Sequence, residues 1–225
     1  MEKYYVMSKK YGKNILTSII GNNAFLVEDL SQCNNYADQI FYTSYFKLDK
    51  IKKMYLVTTF FKKYNFAIRR FVNEIYIVSK EFYEILEEFD VVLKNTINLV
   101  VVDHKNHSKQ NENFILIEFN SVSFKEVIDL NHSNIFQEYE DTIDSIEKIK
   151  LKSDLNYDVF LISEMRNQFK SPICSEKFRN NFIEKGLEGV QFFDLDNAPW
   201  QNLDTLEFYF EKQTTGDVGV FVDPV

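Results

Sequence analysis

The chain has 225 residues and a mass of 26.8 kDa, is 45% hydrophobic and 27% charged, and carries a formal net charge of −8. That length and apolar content suffice for a large core and exclude a disordered chain, and no run of about 18 apolar residues offers a membrane-crossing helix. Two cysteines, Cys33 and Cys174, exclude a disulfide framework.

The charge is unevenly spread: residues 1–75 hold 12 Lys and Arg against 6 Asp and Glu, whereas the rest holds 14 against 28. An acidic surface of that kind repels nucleic acid and attracts basic partners. The opening MEKYYVMSKKYGKN lacks the apolar run and small-residue cleavage site of a secretory signal, so a soluble, cytoplasmic protein is expected, with no membrane partner.

In chain order, the first informative segment is FKLDKIKKMYLVTTFFKKYNFAIRRF (46–71). It interleaves Lys47, Lys50, Lys52, Lys53, Lys62, Lys63, Arg69 and Arg70 with aromatic residues, the combination found in grooves for single-stranded nucleic acid. No Lys/Arg-Gly-Phe RNA signature accompanies it. An amphipathic surface with snorkelling lysines is the expectation, and a nucleic-acid-binding module the alternative.

Short aromatic and β-branched runs then predict strands at EIYIV (74–78), INLVVVD (97–103), NFILIEF (113–119), YDVFLIS (157–163), VQFFDL (190–195), LEFYFE (206–211) and VGVFV (218–222). After the first of these, Phe82, Ile85, Leu86 and Phe89 recur at helical spacing, and Ser79 stands where its hydroxyl would cap the helix. The six residues IVSKEF (77–82) return as ICSEKF (173–178), 96 positions on, with Ser175 as the second cap, Phe178 and Phe182 inward and Gly186 as a stop.

The expected fold is therefore α+β: a single domain, 1–225, with two strand-helix-strand half-units sharing a mixed or antiparallel sheet. Residues 1–73 form a basic N-terminal part, 74–133 the first half-unit, and 134–225 the second half-unit with C-terminal strands. Between the units, NIFQEYEDTIDSIEKIKLKSD (134–154) fits a helix through Phe136, Tyr139, Ile143 and Ile146, or irregular chain, followed by a strand near 146–151.

Catalytic patterns are sparse. There is no Gly-x-Ser-x-Gly elbow, phosphate-cradling glycine loop or His-Glu-x-x-His helix. Asp103, His104 and His107 have spacings that could hold a metal, but their Asn- and Lys-rich surroundings predict a solvated hairpin loop. Cys174 precedes a helix start, yet its apolar neighbours predict a buried structural thiol. Glu138, Glu140, Asp141, Asp144 and Glu147 crowd one segment, where they make either a docking face for a basic partner or, in an enzyme reading, an acid-base pair. FDLDNAPW (193–200) adds Asp194 and Asp196 beside Trp200, which either plugs the core or, if exposed, anchors an interface.

IYIVSKEFYEIL, FNSVSFKEVIDLNHS, YDVFLIS and SPICSEKFRNNFIEKGLEGVQFFDL together resemble the bacterial immunity proteins that accompany polymorphic toxins, in the group typified by a myxobacterial immunity protein. The resemblance rests on Ser79; on Ile128, Asp129, Leu130 and Ser133; on Ser175; and on Gly186, Leu187, Gly189, Val190 and Phe192. It covers about 74–196. It implies no catalytic residue, and a protein that binds and silences a cognate toxin; no cofactor or metal is expected. The contacts expected for that toxin are Glu138, Glu140, Asp141, Asp144, Asp194, Asp196 and Trp200.

Overall fold

The computed structural model describes residues 2–10, 24–31, 48–58, 66–105, 108–166 and 170–200. Within them the order is β1 (Tyr4–Lys9), β2 (Ala24–Val27), β3 (Met54–Thr58), β4 (Ile68–Val72), β5 (Ile75–Ser79), α1 (Lys80–Glu87), β6 (Leu93–Asp103) and β7 (Lys109–Phe119). Then follow α2 (Phe124–Val127), β8 (Asn134–Phe136), β9 (Ser145–Lys148), β10 (Val159–Phe160), β11 (Ile173–Ser175), α3 (Glu176–Glu184) and β12 (Val190–Asp194). The protein is mixed α and β and rich in strands. Among the described residues no helix is long and apolar enough to cross a membrane. Cys33, His107, Lys47, Lys62, Lys63 and the two runs expected as strands at 206–211 and 218–222 lie outside the described residues.

The strands form a six-stranded sheet in the order β2-β3-β6-β7-β5-β4, a four-stranded sheet in the order β10-β11-β1-β12, and the β8–β9 ribbon. This corrects the expectation of one shared sheet. The two copies of the six-residue device sit in different sheets, because each lies beside an antiparallel neighbour of its own. Ile77 pairs with Leu116 and Ser79 with Phe114 on β7, while Ile173 pairs with Val6 and Ser175 with Tyr4 on β1. β5 and β6 both run antiparallel to β7, and β11 and β12 both run antiparallel to β1. Each helix therefore carries the chain past one intervening strand to a parallel position two places away.

The corners are built alike. Ser79 (φ −68°, ψ 158°) accepts a hydrogen bond from Phe82 N–H at 3.2 Å, and Ser175 (φ −67°, ψ 157°) accepts one from Phe178 N–H at 3.2 Å. Each satisfies a donor that the first helical turn cannot. Ser175 does more: its Oγ donates to Asp158 Oδ1 at 2.6 Å, and Asp158 Oδ2 accepts from the Asp90 N–H at 3.2 Å. One carboxylate thus ties the entrance of α3 to the segment leaving α1.

The inner faces of both sheets close on one core. Phe82, Ile85 and Leu86 of α1 and Phe178 and Phe182 of α3 meet Tyr5, Met7, Tyr76, Val78, Ile115, Ile117, Val190 and Phe192. The opposite faces are covered too. Ile75, Ile77, Leu116 and Val101 pack with Phe66, Phe71 and Leu48, while Val6, Ile173 and Phe193 pack with Phe124, Ile143, Ile146 and Trp200. Strands buried on both faces read as near-continuous apolar runs such as IYIV, and in VQFF even the polar Gln191 is buried.

The sheets meet at a corner where β4 approaches β12. Ala67 N–H donates to Glu188 O at 2.8 Å, Lys10 N–H to Gly189 O at 3.0 Å, and the buried Arg69 guanidinium to Gly189 O at 2.6 Å and Lys10 O at 2.9 Å. Two cations from the aromatic basic segment are therefore engaged inside the fold: Arg69 as above, and Arg70 donating to Asn73 O and Lys170 O.

Candidate functional site

Two neighbouring isoleucines decide how the β8–β9 ribbon lies. Ile135 and Ile146 pair across it and point into the core with Ile143, while Phe136 pairs with Ser145 on the outer face. The ribbon replaces the helix that Phe136, Tyr139, Ile143 and Ile146 had suggested. Their spacing suits either structure, and the isoleucines alone go inward. The expected strand near 146–151 is present as β9, and Leu151 beyond it bridges to Ile128.

Phe136 is 60% exposed and Tyr139 65% exposed. Leaving a phenylalanine in water forgoes about 1.5–3 kcal/mol of burial, so a polar residue is the ordinary occupant of an outer position. With Leu130, these account for three of the four large exposed hydrophobics among the described residues. Glu138, Glu140, Asp141 and Glu147 are exposed around them.

The turn carrying these side chains is held from within. Thr142 N–H donates to Tyr139 O at 3.2 Å, which places Glu140 and Asp141 at the apex, and Asp144 N–H donates to Phe136 O at 2.8 Å. Asp144 Oδ2 accepts from Glu138 N–H at 2.6 Å, and its other oxygen pairs with Arg166. Its side chain is only 9% exposed. Asp144 is thus a brace for the turn, whereas Glu138, Glu140 and Asp141 face solvent.

Glu164 fixes the turn to the body of the protein. Its backbone carbonyl accepts from Ile143 N–H at 2.8 Å, and its carboxylate accepts from Ser123 Oγ at 2.7 Å, Ser163 Oγ at 2.7 Å and Phe124 N–H at 2.9 Å. Burial opposes the charged form, but these three hydrogen bonds outweigh it and hold the carboxyl below its usual range. A group whose pKa is lowered by folding contributes stability above its unfolded value, near 4.3, and loses it as pH falls through the folded value. Glu164→Gln is therefore expected to lower the urea midpoint at pH 7, and to lower it less at a pH below the folded value. An equal loss at both would remove the carboxylate from this role.

The other expected contacts lie elsewhere. Asp194 and Asp196 flank a groove of about 230 Å³ between the start of β1, residues 149–152 and the turn after β12. Burial raises the Asp194 pKa, but the Lys3 ammonium at 2.7 Å and the Asp196 N–H at 3.0 Å lower it further, for a net decrease. Asp196 faces Lys150 at 3.8 Å. Lys150 follows one end of β9 and the acidic turn precedes the other, so the structure divides the expected carboxylates into two groups.

Trp200 is 2% exposed and packs with Tyr4, Phe160, Ile173 and Leu195. Of its two expected roles the structure therefore supports the core plug, and the exposed anchor is corrected. The large aromatic side chains exposed to solvent among the described residues are Phe136 and Tyr139. The signal available was their position within an acidic stretch, which a buried helix face would not share.

The remaining candidates are accounted for individually. Burial pushes the Cys174 thiol well above its ordinary pKa, so the helix start leaves it unactivated. His104 packs edge-on against Phe25, and Asp103 Oδ1 accepts from Lys105 N–H at 2.8 Å. Among the described residues no group of three or more His, Cys, Asp or Glu side chains is placed to hold a metal. Ser133 of the Ile-Asp-Leu-x-x-Ser segment donates to Asp129 O at 2.7 Å and accepts from Lys150 N–H at 2.8 Å, closing the loop before β8 onto the chain after β9. Compared with protein-family models and with curated proteins, the chain matches none.

Proposed function

We propose that this chain is an immunity protein that silences a cognate bacterial toxin by stoichiometric binding, with the acidic turn of the β8–β9 ribbon covering a basic region of the toxin. The observation that supports this reading is the turn itself. Glu138, Glu140 and Asp141 stand exposed on a backbone braced by Asp144 and Glu164, and residues 137–144 contain no Lys, Arg or His. The sequence resemblance adds support, because Ser79, Ser133, Ser175, Gly186 and Gly189 all serve the scaffold and leave the outer surface for recognition.

Growth rescue of cells producing a toxin domain encoded beside this gene tests the reading, and failure of the wild-type protein to rescue or bind that domain overturns it. The triple variant Glu138→Lys, Glu140→Lys, Asp141→Lys is expected to slow association about tenfold or more at low ionic strength and to flatten its salt dependence. Asp144 is left in place because its loss would loosen the turn. An association rate equal to wild type would remove the three carboxylates from the interface.

A further inference from the structure

We propose that Phe136 and Tyr139 are the anchors of a docking finger: the two rings enter an apolar recess on a basic protein partner, while Glu138, Glu140 and Asp141 meet Lys and Arg side chains on the rim of that recess. The identification of the partner as the toxin rests on the function proposed above. The finger itself rests on three observations about the ribbon.

The aromatic side chains are exposed in spite of a choice that the fold makes available. Ile135 and Ile146 already fill the inner side, so Phe136 has no inward role, and it stands on the same outer face as Ser145 and Glu147. Interface hot spots are enriched in aromatic residues, placed centrally and ringed by polar groups that exclude water. The segment here supplies both ingredients, exposed rings at Phe136 and Tyr139 and exposed carboxylates at Glu138, Glu140 and Asp141.

Charge selects the occupant. Every charged side chain of residues 137–144 is a carboxylate, and among the described residues Asp144 alone of these is paired with a cation, Arg166. A second acidic surface would be repelled and a purely apolar one would leave three carboxylates unpaired, so a basic rim around an apolar recess is the complementary surface.

The finger is also already shaped. Two backbone hydrogen bonds close the turn, Gln137 Nε2 donates to Glu140 O and Thr142 O, and Asp144 and Glu164 fasten it to the residues around Arg166 and Phe124. Little chain entropy remains to be lost on binding, which favours affinity beyond what the contact area alone implies.

The double variant Phe136→Ser, Tyr139→Ser tests the proposal, with far-ultraviolet circular dichroism and the urea midpoint as folding controls, both expected to match wild type because the side chains are exposed. Affinity for the toxin domain encoded beside the gene is expected to fall at least about 100-fold, mainly through faster dissociation. Wild-type affinity of the double variant for that domain would overturn the finger and leave the immunity reading standing. If the wild-type protein does not bind the domain, the immunity reading falls and a synthetic lysine- and leucine-rich peptide decides the finger by fluorescence anisotropy at low salt. Peptide binding weakened tenfold or more both in the aromatic double variant and in Glu138→Gln, Glu140→Gln, Asp141→Asn sustains it. Equal binding by wild type and variants, or none by wild type, overturns it.

Discussion

Phe82→Ala is expected to destabilise the protein by about 3–5 kcal/mol, seen as a lower urea midpoint with unchanged slope and a Tm roughly 10 °C or more below wild type. Phe82 is fully buried and meets the rings of Phe178 at 5.8 Å and Phe182 at 6.0 Å, both edge-on. Removing it deletes burial, two aromatic contacts and the only ring that α1 places against both phenylalanines of α3 among the described residues. The cavity would open where α1 and α3 meet in the core that the two sheets share. Against a total stability of about 5–15 kcal/mol, that loss is a large fraction. A change below about 1 kcal/mol would mean that α1 and α3 do not depend on each other. Phe136→Ser, in solvent, should stay within about 0.5 kcal/mol of wild type.

The second large effect is expected at Gly189, and Gly186 is its control. Both have positive φ, +66° at Gly186 and +86° at Gly189. A Cβ on Gly186 would meet nothing within 4 Å, so Gly186→Ala carries only the backbone penalty of about 1–2 kcal/mol. A Cβ on Gly189 would lie 2.9 Å from both Cα and Cβ of Phe66, and no rotamer relieves a clash with a Cα atom. Gly189 O accepts from Arg69 of the other sheet and from Lys10 N–H beside β1, so a shift of its carbonyl would disturb one hydrogen bond between the sheets and one within the smaller sheet. Gly189→Ala is expected to destabilise by more than about 3 kcal/mol, combining backbone strain with overlap. Equal midpoints for the two alanine variants would show that the Phe66 contact yields freely.

What could be read in the sequence was local. Ser79 and Ser175 were visible as caps because a hydroxyl before an amphipathic run has a short-range mechanism, and the structure places both as expected. EIYIV, INLVVVD, NFILIEF and VQFFDL became strands for a similar reason, since β-branched and aromatic runs need little context. YDVFLIS shrank to Val159–Phe160 with a single bridge at Ile162, because its neighbours there are short loops rather than long strands.

Residues with distant partners were harder to place. YYVMSK was absorbed into a basic N-terminal part, yet β1 lies at the centre of the four-stranded sheet, paired with residues more than 160 positions away. Arg69 resembled a nucleic-acid contact until Gly189 and Lys10 supplied the carbonyls that bind it. Around the acidic turn, composition pointed to a charged face but could not separate Asp144, which braces, from Glu140 and Asp141, which face outward. That distinction depends on Arg166, a residue with no sequence signal linking it to the turn.

The central place of β1 has a consequence for synthesis. Both of its neighbours come from the stretch between Ile173 and Asp194, so the earliest of the described strands to be synthesised waits for almost the last of them before its edges are covered. The six-stranded sheet draws on residues no later than Phe119 and can assemble while translation continues. During that interval Tyr4 to Lys9 travel as an unpaired apolar edge, the kind of segment that chaperones shelter and that other chains capture. Nascent chains halted shortly before Ile173 should therefore carry a protease-resistant larger sheet and remain cleavable around Tyr4 to Lys9.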